Sequence, residues 1–472
     1  MIENLGHTAA IILAAGKGTR IGSHLPKVLY PLAGRPMVSY ILNILDSIGL
    51  KDIYVVTGFR SEDVQASINR KAYFVHQPIA LGTGHAVSCA LNEIPPDIDT
   101  IIVVNGDDSS FYTPSTIQKI IEKHNSSKSV LSIVTAEIDS QFGLGRIIRD
   151  ENGQIIAIRE EKECSDAEKL IKEVNIGLYV FEADWIRLAL AKIKPRPGQE
   201  IYLVDVIAIA HAELKKVNDI RLGKTSEWRG VNTKEELALA NEKMISKMKI
   251  EINDKKIYLF DLDDTFLATN NLKLILEERA LNILKNIFGV NLHESEIKAK
   301  FWDTYTKHKE INGWFSTPKF GEELATVFGI KEGGPTLKRL MYTLPFEQYI
   351  KEGVKDMLAS LNGNGMRVVI AWGDLVYQPI KLSILNDSID AYHTYEKVDE
   401  TAISEIVNIY ESSQIILTDD RLENLASFKK INQNITTIWI KDGPYKDNMS
   451  DDYKADFEVK NIEELDLLLK KI

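Results

Sequence analysis

The chain has 472 residues, of which 44% are hydrophobic and 26% are charged, a composition that predicts a globular protein of about two to four domains. Its formal net charge of −11 disfavours nucleic acid and an anionic membrane as partners, although a few local cations are enough to bind small phosphates. No run of about 18 apolar residues occurs, and the two cysteines, Cys89 and Cys164, lie in unrelated contexts. We therefore expect a cytoplasmic protein without a disulfide framework or a zinc site.

Short apolar runs alternate with segments of helical periodicity in the first half of the chain. The apolar runs predict strands at 10–15, 53–57, 101–105, 130–136 and 174–181. The periodic segments predict helices at 38–48, 85–91 and 115–124. Such alternation is typical of an α/β domain with a mostly parallel sheet and helices on both faces. A charged helix at 235–247 and a polar stretch at 251–256 end this pattern, so we predict a first domain at 1–248.

The same alternation restarts in the second domain, which we place at 249–472. Apolar runs predict strands at 257–260, 367–371, 415–417 and 436–440. The stretch from about 270 to 355 has helical periodicity instead, which predicts a helical insertion between the first two of these strands. The predicted fold class is therefore α/β, with two Rossmann-like parallel-sheet domains and a helical insertion in the second.

A loop of small residues with embedded cations follows the first predicted strand. Gly16 and Gly18 let the backbone approach a phosphate chain closely, so that its N–H groups point at the anion. Lys17, Arg20 and Lys27 add positive charge where an attack on an α-phosphate would build negative charge on leaving pyrophosphate. The spacing of the glycines matches neither the dinucleotide-binding fingerprint nor the P-loop, which disfavours both of those phosphate sites.

Further motifs follow this loop along the chain, at 31–37, 77–87, 106–107, 143–148, 202–205 and 230–232. Together with residues 9–30, they resemble the N-acetylglucosamine-1-phosphate uridylyltransferase family over roughly residues 8–243. The resemblance implies Mg²⁺-dependent transfer of a nucleotidyl group from an NTP, UTP first, to a sugar-1-phosphate such as N-acetylglucosamine-1-phosphate, with release of pyrophosphate. The hexapeptide repeats of the bifunctional members do not follow residue 250, so we predict no acetyltransferase activity.

The resemblance also implies roles for individual residues. Contacts to the nucleotide fall on Leu13, Ala14, Ala15, Gly16, Gly18, Thr19, Gln77, Gly82 and Thr83. Contacts to the sugar fall on Gly145, Glu160 and Asn175, and catalytic roles fall on Arg20 and Lys27. The metal falls on Asp107 and Asn232, whose hard oxygen atoms suit Mg²⁺. Asp107 also follows an apolar strand, at the sheet edge where open α/β sheets bind ligands.

A few positions near the implied sugar contacts depart from the pattern of that family. Asn105 stands where the family carries an aromatic residue, and Asp108-Ser109-Ser110 stand where it carries Pro-Leu. Ile176 replaces the family's threonine after Asn175. Because these changes lie close to the implied sugar site, the acceptor sugar stays open, and another NTP such as CTP or another phosphorylated acceptor is an alternative.

An aspartate pair follows the first predicted strand of the second domain, where 257–265 ends in D-x-D-x-T. Asp261 and Asp263 lie on the same side of an extended segment, so that one can attack phosphorus while the other handles a proton. The segment resembles motif one of the haloacid-dehalogenase-like phosphatase superfamily. That resemblance makes Asp261 the nucleophile and Asp263 the general acid/base, with Asp261, Asp263 and Asp419 at a Mg²⁺ site.

The same resemblance covers about residues 256–472 and implies further parts of a phosphatase. Lys397 takes the catalytic role of steadying the phosphate, with Lys381 as an alternative, and the helical insertion becomes a cap over the site. One departure concerns motif two, where a strand should end in Thr or Ser. Ala371 or Trp372 stands there instead, so a hydrogen bond to the phosphate is lost.

Three hypotheses follow. The first is a bifunctional enzyme whose second domain trims a doubly phosphorylated sugar and whose first domain activates the remaining phosphate. The second makes the second domain a non-catalytic binding or regulatory module, because Ala371 and Trp372 break motif two. The third is an oxidoreductase on a dinucleotide fold, which the glycine spacing opposes. The predicted partners are a nucleoside triphosphate and a sugar phosphate, with neither nucleic acid nor membrane, and a homo-oligomer is compatible with the sequence.

Overall fold

The chain divides into two compact units in the computed structural model. The described residues are 5, 7–22, 25–68, 71–138, 143–196, 199–223, 225–252, 255–312, 317–331, 333–448 and 452–472. Contacts between Cα atoms assign Met1–Leu32 and Pro36–Ala240 to the first unit, and Ala33–Arg35 and Asn241–Ile472 to the second. The sequence-based domain boundary after residue 248 lies inside one continuous helix, Lys234–Ile252, which is longer than the predicted helix at 235–247.

Residues up to Ile252 alternate between strands and helices. The strands are β1 (Thr8–Ala14), β2 (Pro31–Leu32), β3 (Arg35–Pro36), β4 (Asp52–Thr57), β5 (Tyr73–His76), β6 (Thr100–Asn105), β7 (Leu131–Glu137), β8 (Arg146–Arg149), β9 (Ile155–Arg159), β10 (Glu173–Glu182) and β11 (Val217–Arg221). The helices are α1 (Met37–Ser47), α2 (Ser61–Ser67), α3 (Thr83–Leu91), α4 (Pro114–Ser127), α5 (Asp166–Lys169), α6 (Ala183–Leu190), α7 (Val206–Ala212) and α8 (Lys234–Ile252). Each strand and helix predicted in the first half of the sequence corresponds to one of these elements.

The sheet of the first unit is built outward from the buried strand β1. The strand order is β11-β7-β10-β6-β1-β4-β5, and β8 and β9 form a hairpin that pairs with β10. β1 runs parallel to both β4 and β6, whereas β10 runs antiparallel to β6 and β7. The chain moves from β1 to β4 and β5 and then crosses to β6 on the other side. The carboxyl ends of β1 and β6 therefore flank a topological switch point, where open α/β sheets bind ligands.

His124 is a buried titratable group in the core of the first unit. It lies in the last turn of α4, and its Nδ1 atom is 2.9 Å from the hydroxyl oxygen of Ser132 on β7. Burial lowers the pKa of His124 to about 4, from an ordinary value near 6.5. Protonation therefore favours the unfolded chain, and stability falls as the pH drops from the unfolded pKa towards the folded one.

We expect the His124→Asn variant to lose less stability on acidification than the wild type. The asparagine keeps a polar partner for Ser132 but does not titrate, so about 2 kcal/mol of the loss between pH 7.5 and pH 5 should vanish. Urea unfolding followed by tryptophan fluorescence at both pH values measures this difference. Equal losses in the two proteins would contradict the role given to His124.

The second unit has an all-parallel sheet. Its strands are β12 (Lys256–Asp261), β13 (Met366–Trp372), β14 (Ala391–Tyr395), β15 (Gln414–Asp419), β16 (Thr436–Ile440) and β17 (Phe457–Val459), in the order β14-β13-β12-β15-β16-β17. Its remaining helices are α9 (Thr269–Asn286), α10 (Glu294–Asn312), α11 (Thr317–Val327), α12 (Gly334–Tyr342), α13 (Val354–Ser360), α14 (Tyr377–Leu382), α15 (Glu400–Ile409), α16 (Leu422–Ile431) and α17 (Ile462–Leu469). The switch point of this sheet lies between β12 and β15, which end in Asp261 and Asp419.

Helices α9 to α12 lie between β12 and β13, where the sequence predicts a helical insertion at about 270 to 355. The predicted α/β fold class is confirmed, with β10 and the β8–β9 hairpin as the antiparallel part of the first sheet. Among the helices within the described residues, none combines the length and the apolar character needed to span a lipid bilayer.

Two candidate active sites

The glycine loop after β1 folds back onto Lys27. Gly18 has a φ of +64°, and a Cβ atom on it would lie 2.8 Å from the Cβ atom of Lys27, so no other residue fits without a shift. The backbone N–H of Lys27 donates to the carbonyl oxygen of Gly16 at 3.4 Å. The loop thereby fixes where the backbone of Lys27 lies at the carboxyl edge of the sheet.

Lys27 joins the two residues that the sequence assigns to a metal. Its ammonium group contacts the carboxylate of Asp107 and donates to the Oδ1 atom of Asn232 at 2.8 Å. Arg20 donates to the same Asn232 oxygen at 3.4 Å. The ammonium group of Lys27 thus lies between the oxygen atoms of Asp107 and Asn232. Oxygen ligands of this kind also suit a divalent cation. The residues therefore fit a Mg²⁺ site, with Lys27 beside it.

A cavity of about 260 Å³ opens beside these groups. Eight of the residues assigned from the sequence line it: Leu13, Lys27, Thr83, Asp107, Gly145, Glu160, Asn175 and Asn232. The other assigned residues of this site do not line the cavity: Ala14, Ala15, Gly16, Gly18, Thr19, Arg20, Gln77 and Gly82. The cavity thus brings together residues given to the nucleotide, the sugar and the metal, which are far apart in sequence.

Reciprocal hydrogen bonds hold the side of the cavity where the family resemblance implies contacts to the sugar. Asn175 donates to the hydroxyl of Tyr179 at 2.6 Å, and that hydroxyl lies 2.9 Å from Asn175 Oδ1. The backbone N–H of Asn175 donates to the carbonyl of Gly145 at 2.9 Å, so the two predicted residues are directly joined. Burial raises the pKa of Glu160, and the Arg196 guanidinium partly offsets this. The sequence does not predict a role for Tyr179 at this site, because an aromatic residue in a buried strand is expected to belong to the hydrophobic core.

In the region where the family resemblance implies contacts to the nucleotide, the backbones of Gly82 and Ile201 approach each other closely. Gly82 has a φ of +90°, and a Cβ atom there would lie 2.6 Å from the carbonyl oxygen of Ile201. Gln77 is buried, and its amide nitrogen lies 3.0 Å from both the carbonyl oxygen of Gly82 and the Nδ1 atom of His85. His85 was not singled out from the sequence, yet it fixes the amide of Gln77. Thr83 accepts a hydrogen bond from the backbone of the segment that follows Ile201.

The residues that depart from the family pattern contact one another. Asn105 donates to Asp108 Oδ2 at 3.0 Å, and a Cβ atom on Gly177 would lie 2.1 Å from the Asn105 amide nitrogen. Burial and the neighbouring Asp107 carboxylate raise the pKa of Asp108 well above its ordinary value. Asn105 and Asp108 also line the cavity, so the departures change its wall directly.

The second site centres on three buried aspartates. Asp261, Asp419 and Asp420 each place a carboxylate oxygen within 4.8 Å of the others. Burial and the neighbouring carboxylates of Asp419 and Asp420 raise the pKa of Asp261 well above its ordinary value. A divalent cation offsets such repulsion, and three carboxylates are hard oxygen ligands, so the cluster fits Mg²⁺.

Asp263 is held by polar partners of its own. Lys381 is buried and contacts both carboxylate oxygen atoms, with its ammonium 2.6 Å from Oδ2. Thr269 donates to Oδ1 at 2.5 Å, and Gln378 donates to Oδ2 at 3.1 Å. Burial acts to raise the pKa of Asp263, but the Lys381 ammonium and the hydrogen bonds from Thr269 and Gln378 together outweigh it, and the pKa is lowered. The place of Asp263 in a metal site stays a prediction.

The two lysines considered for the phosphate have different surroundings. Lys381 is buried against Asp263, whereas Lys397 is exposed and lies 3.4 Å from the carboxylate of Asp399. Both line a cavity of about 390 Å³ that also contains Asp261. The catalytic role of Lys397 stays a prediction, and Lys381 has the direct contact with the aspartate pair.

The end of β13 has no hydroxyl group to offer to a phosphate. Ala371 is fully buried, and Trp372 lines the cavity. Gln378 donates to the carbonyl oxygen of Trp372 at 2.6 Å. The backbone N–H of Gly373 donates to the carbonyl of Tyr395 at 2.8 Å, so this N–H is already used within the sheet.

Comparison with known proteins identifies the first unit by type. Residues 10–170 match the sequence model of a family described as MobA-like NTP transferase domain. The chain is 36% identical over 261 residues to the bifunctional protein GlmU of Heliobacterium modesticaldum, covering 55% of this chain and 57% of that protein. It is 39% identical over 236 residues to the bifunctional protein GlmU of Streptococcus mutans, covering 50% and 51%.

The chain therefore spans about half the length of the curated relatives that it matches. A crystal structure of a Bacillus anthracis protein, provisionally named a glucose-1-phosphate thymidylyltransferase, is 20% identical with a TM-score of 0.42, covering 50% of this chain and 94% of that one. The amino-terminal half of the chain contains a nucleotidyltransferase-type domain similar to these GlmU proteins.

Proposed function

We propose that the first unit transfers a nucleotidyl group from UTP to a sugar-1-phosphate, N-acetylglucosamine-1-phosphate in the first place, and releases pyrophosphate. The observation that carries this proposal is the meeting of Lys27, Asp107 and Asn232 beside the glycine loop. The similarity to GlmU proteins over about half of the chain supports the same reaction class.

The chemistry follows from the charges around the cavity. A phosphate oxygen of the sugar-1-phosphate attacks the α-phosphorus of the triphosphate, and the bond to the β-phosphate oxygen breaks. Lys27 and Arg20 stabilise the negative charge that develops on the leaving pyrophosphate. Mg²⁺ held by Asp107 and Asn232 would neutralise phosphate charge when bound. Asn175 and Glu160 offer hydrogen bonds to the hydroxyl groups of the sugar.

A grid of nucleoside triphosphates and sugar-1-phosphates tests this proposal by the rate of pyrophosphate release. We expect UTP with N-acetylglucosamine-1-phosphate to exceed the other pairs by about tenfold or more in kcat/KM, because a missing hydrogen bond in a buried site costs at least that much. A preference for CTP, or for another acceptor, would redirect the proposal to that substrate. No pyrophosphate release from any pair would overturn it.

We further propose that the second unit hydrolyses phosphate monoesters. Asp261 attacks phosphorus and the ester P–O bond breaks, and Asp263, whose lowered pKa keeps it ionised at rest, passes a proton from solvent to the leaving oxygen. Water then attacks the phosphorylated Asp261, passes a proton to Asp263 and releases inorganic phosphate. Lys381 keeps Asp263 in place, and Mg²⁺ held by Asp261 and Asp419 would offset the charge of the incoming phosphate when bound.

A non-catalytic binding module is the second candidate function for this unit. Trp372 stands where a phosphate-binding hydroxyl is expected, and this replacement favours binding over turnover. Hydrolysis of a panel of phosphate esters by the full chain, with the Asp261→Asn variant as the comparison, separates the two functions.

A further inference from the structure

The cavity of the second unit carries two lysines on its helical insertion. Lys273 lies on α9 and Lys309 on α10, and both line the cavity of about 390 Å³ that contains Asp261 and Asp263. Neither residue belongs to the proposed phosphoryl-transfer chemistry, so their charges need another explanation.

These two ammonium groups lack the carboxylate partners that the other cavity lysines have. Lys273 donates to the side-chain oxygen of Asn270 at 2.6 Å. Within the part of the chain that the structure describes, neither Lys273 nor Lys309 has a carboxylate oxygen within 4.0 Å. In contrast, Lys381 is paired with Asp263, and Lys397 with Asp399.

The environment of Lys273 makes this arrangement costly without an anion. Burial lowers the pKa of Lys273; the carboxylates of Asp264 and Asp263 oppose this, and the ammonium groups of Lys309 and Lys381 lower the pKa further, so that the net shift is downward. Lys273 is half-buried and Lys309 is exposed, and their like charges repel one another across the cavity wall, so that an anionic ligand between them relieves the repulsion. The lysines are therefore placed to bind a negative group inside the cavity.

We propose that this cavity takes a phosphate monoester that carries a second anionic group, which Lys273 and Lys309 bind. The inference rests on the proposed hydrolase function of the same site. A second phosphate is dianionic and matches two ammonium groups better than one carboxylate does, so the substrate class is small bisphosphates such as sugar bisphosphates. Hydrolysis of one ester bond by water then releases inorganic phosphate and leaves a sugar monophosphate. Where the ester at the other position is cleaved and the 1-phosphate is kept, that product belongs to the acceptor class proposed for the first unit.

The test compares three esters with the full chain and Mg²⁺: glucose 1,6-bisphosphate, glucose 6-phosphate and 6-phosphogluconate. We expect kcat/KM for the bisphosphate to exceed that for glucose 6-phosphate by about tenfold or more, with 6-phosphogluconate between them. The double variant Lys273→Met/Lys309→Met should bring the ratio close to unity, mainly by raising KM for the bisphosphate. Lys307→Met is the matched control, since Lys307 is exposed on α10 and paired with Asp303, and it should keep the wild-type ratio.

Calorimetric titration of glucose 1,6-bisphosphate into the full-length Asp261→Asn chain separates this inference from the hydrolase proposal. Binding that weakens by about tenfold when Lys273 and Lys309 are also replaced supports the lysine site, even if no ester is hydrolysed. Binding by the first unit is common to both chains and cancels in the comparison. Equal hydrolysis of mono- and bisphosphate, an unchanged ratio in the double variant, or binding that ignores the lysines overturns the inference.

Discussion

Replacing Asp107 with alanine is expected to lower kcat/KM for pyrophosphate release from UTP and N-acetylglucosamine-1-phosphate by about a thousandfold, or about 4 kcal/mol. The variant removes one of the two oxygen ligands that meet at Lys27, and Asn232 alone is a weak, neutral site for a divalent cation. It also leaves the Lys27 ammonium without its carboxylate partner. Initial rates across a range of Mg²⁺ concentrations measure the loss.

Asp97→Ala is the control for this variant, because Asp97 is an exposed aspartate of the same unit, and its rates should match the wild type. Asp107→Asn distinguishes a metal ligand from a mere partner of Lys27. A metal ligand predicts that the Asn variant needs a higher Mg²⁺ concentration for half-maximal rate, whereas Lys27→Met should lower the rate at every Mg²⁺ concentration. A loss smaller than about tenfold in Asp107→Ala would contradict the site.

The interior of both sheets could be predicted from the sequence, but their edges could not. β1, β6, β12 and β15 are buried parallel strands, and strands of this kind read as continuous apolar runs. The strands that sequence reasoning missed include every sheet edge: β5, β11, β14 and β17. β5, β11 and β17 carry exposed residues, as in Val217–Arg221, because an edge strand faces solvent along one side. β14 is largely buried but carries the polar residues His393 and Thr394, and the backbone N–H of Thr394 donates to the carbonyl oxygen of Gly34. The sequences of these edge strands therefore lack the continuous apolar run that predicts a strand.

The candidate sites also contain residues that a local sequence motif predicts and residues that only the folded structure brings into contact. The glycine loop, Asp107 and Asp261 could be predicted because their chemistry is local to one strand end. The contact of Lys27 with Asn232 joins residues 205 positions apart, and no local pattern encodes it. The same holds for Lys381, which lies 118 positions from Asp263 and which the sequence offers only as an alternative to Lys397.

Asp261→Asn is expected to abolish hydrolysis of phosphate esters by the second unit, by about a thousandfold or more, while pyrophosphate release by the first unit stays unchanged. The amide cannot attack phosphorus, yet it has the size of the carboxylate and can keep the contact with Thr265. Asp387→Asn is the control, since Asp387 is an exposed aspartate in the same unit. Release of inorganic phosphate and release of pyrophosphate, measured on the same preparations, give the two activities separately.

A structural readout decides whether the aspartate cluster binds a cation even if turnover is slow. Asp261, Asp419 and Asp420 repel one another in a buried place, so removing one charge should raise the melting temperature of the second unit in EDTA. Mg²⁺ should raise the melting temperature of the wild type, and this increase should shrink in Asp261→Asn because a ligand is lost. If Mg²⁺ stabilises both proteins equally and hydrolysis survives in the variant, Asp261 is neither ligand nor nucleophile. If the Mg²⁺ effect depends on Asp261 but no ester is hydrolysed by the wild type, the cluster is a metal site in a binding module, as Trp372 at the end of β13 would favour.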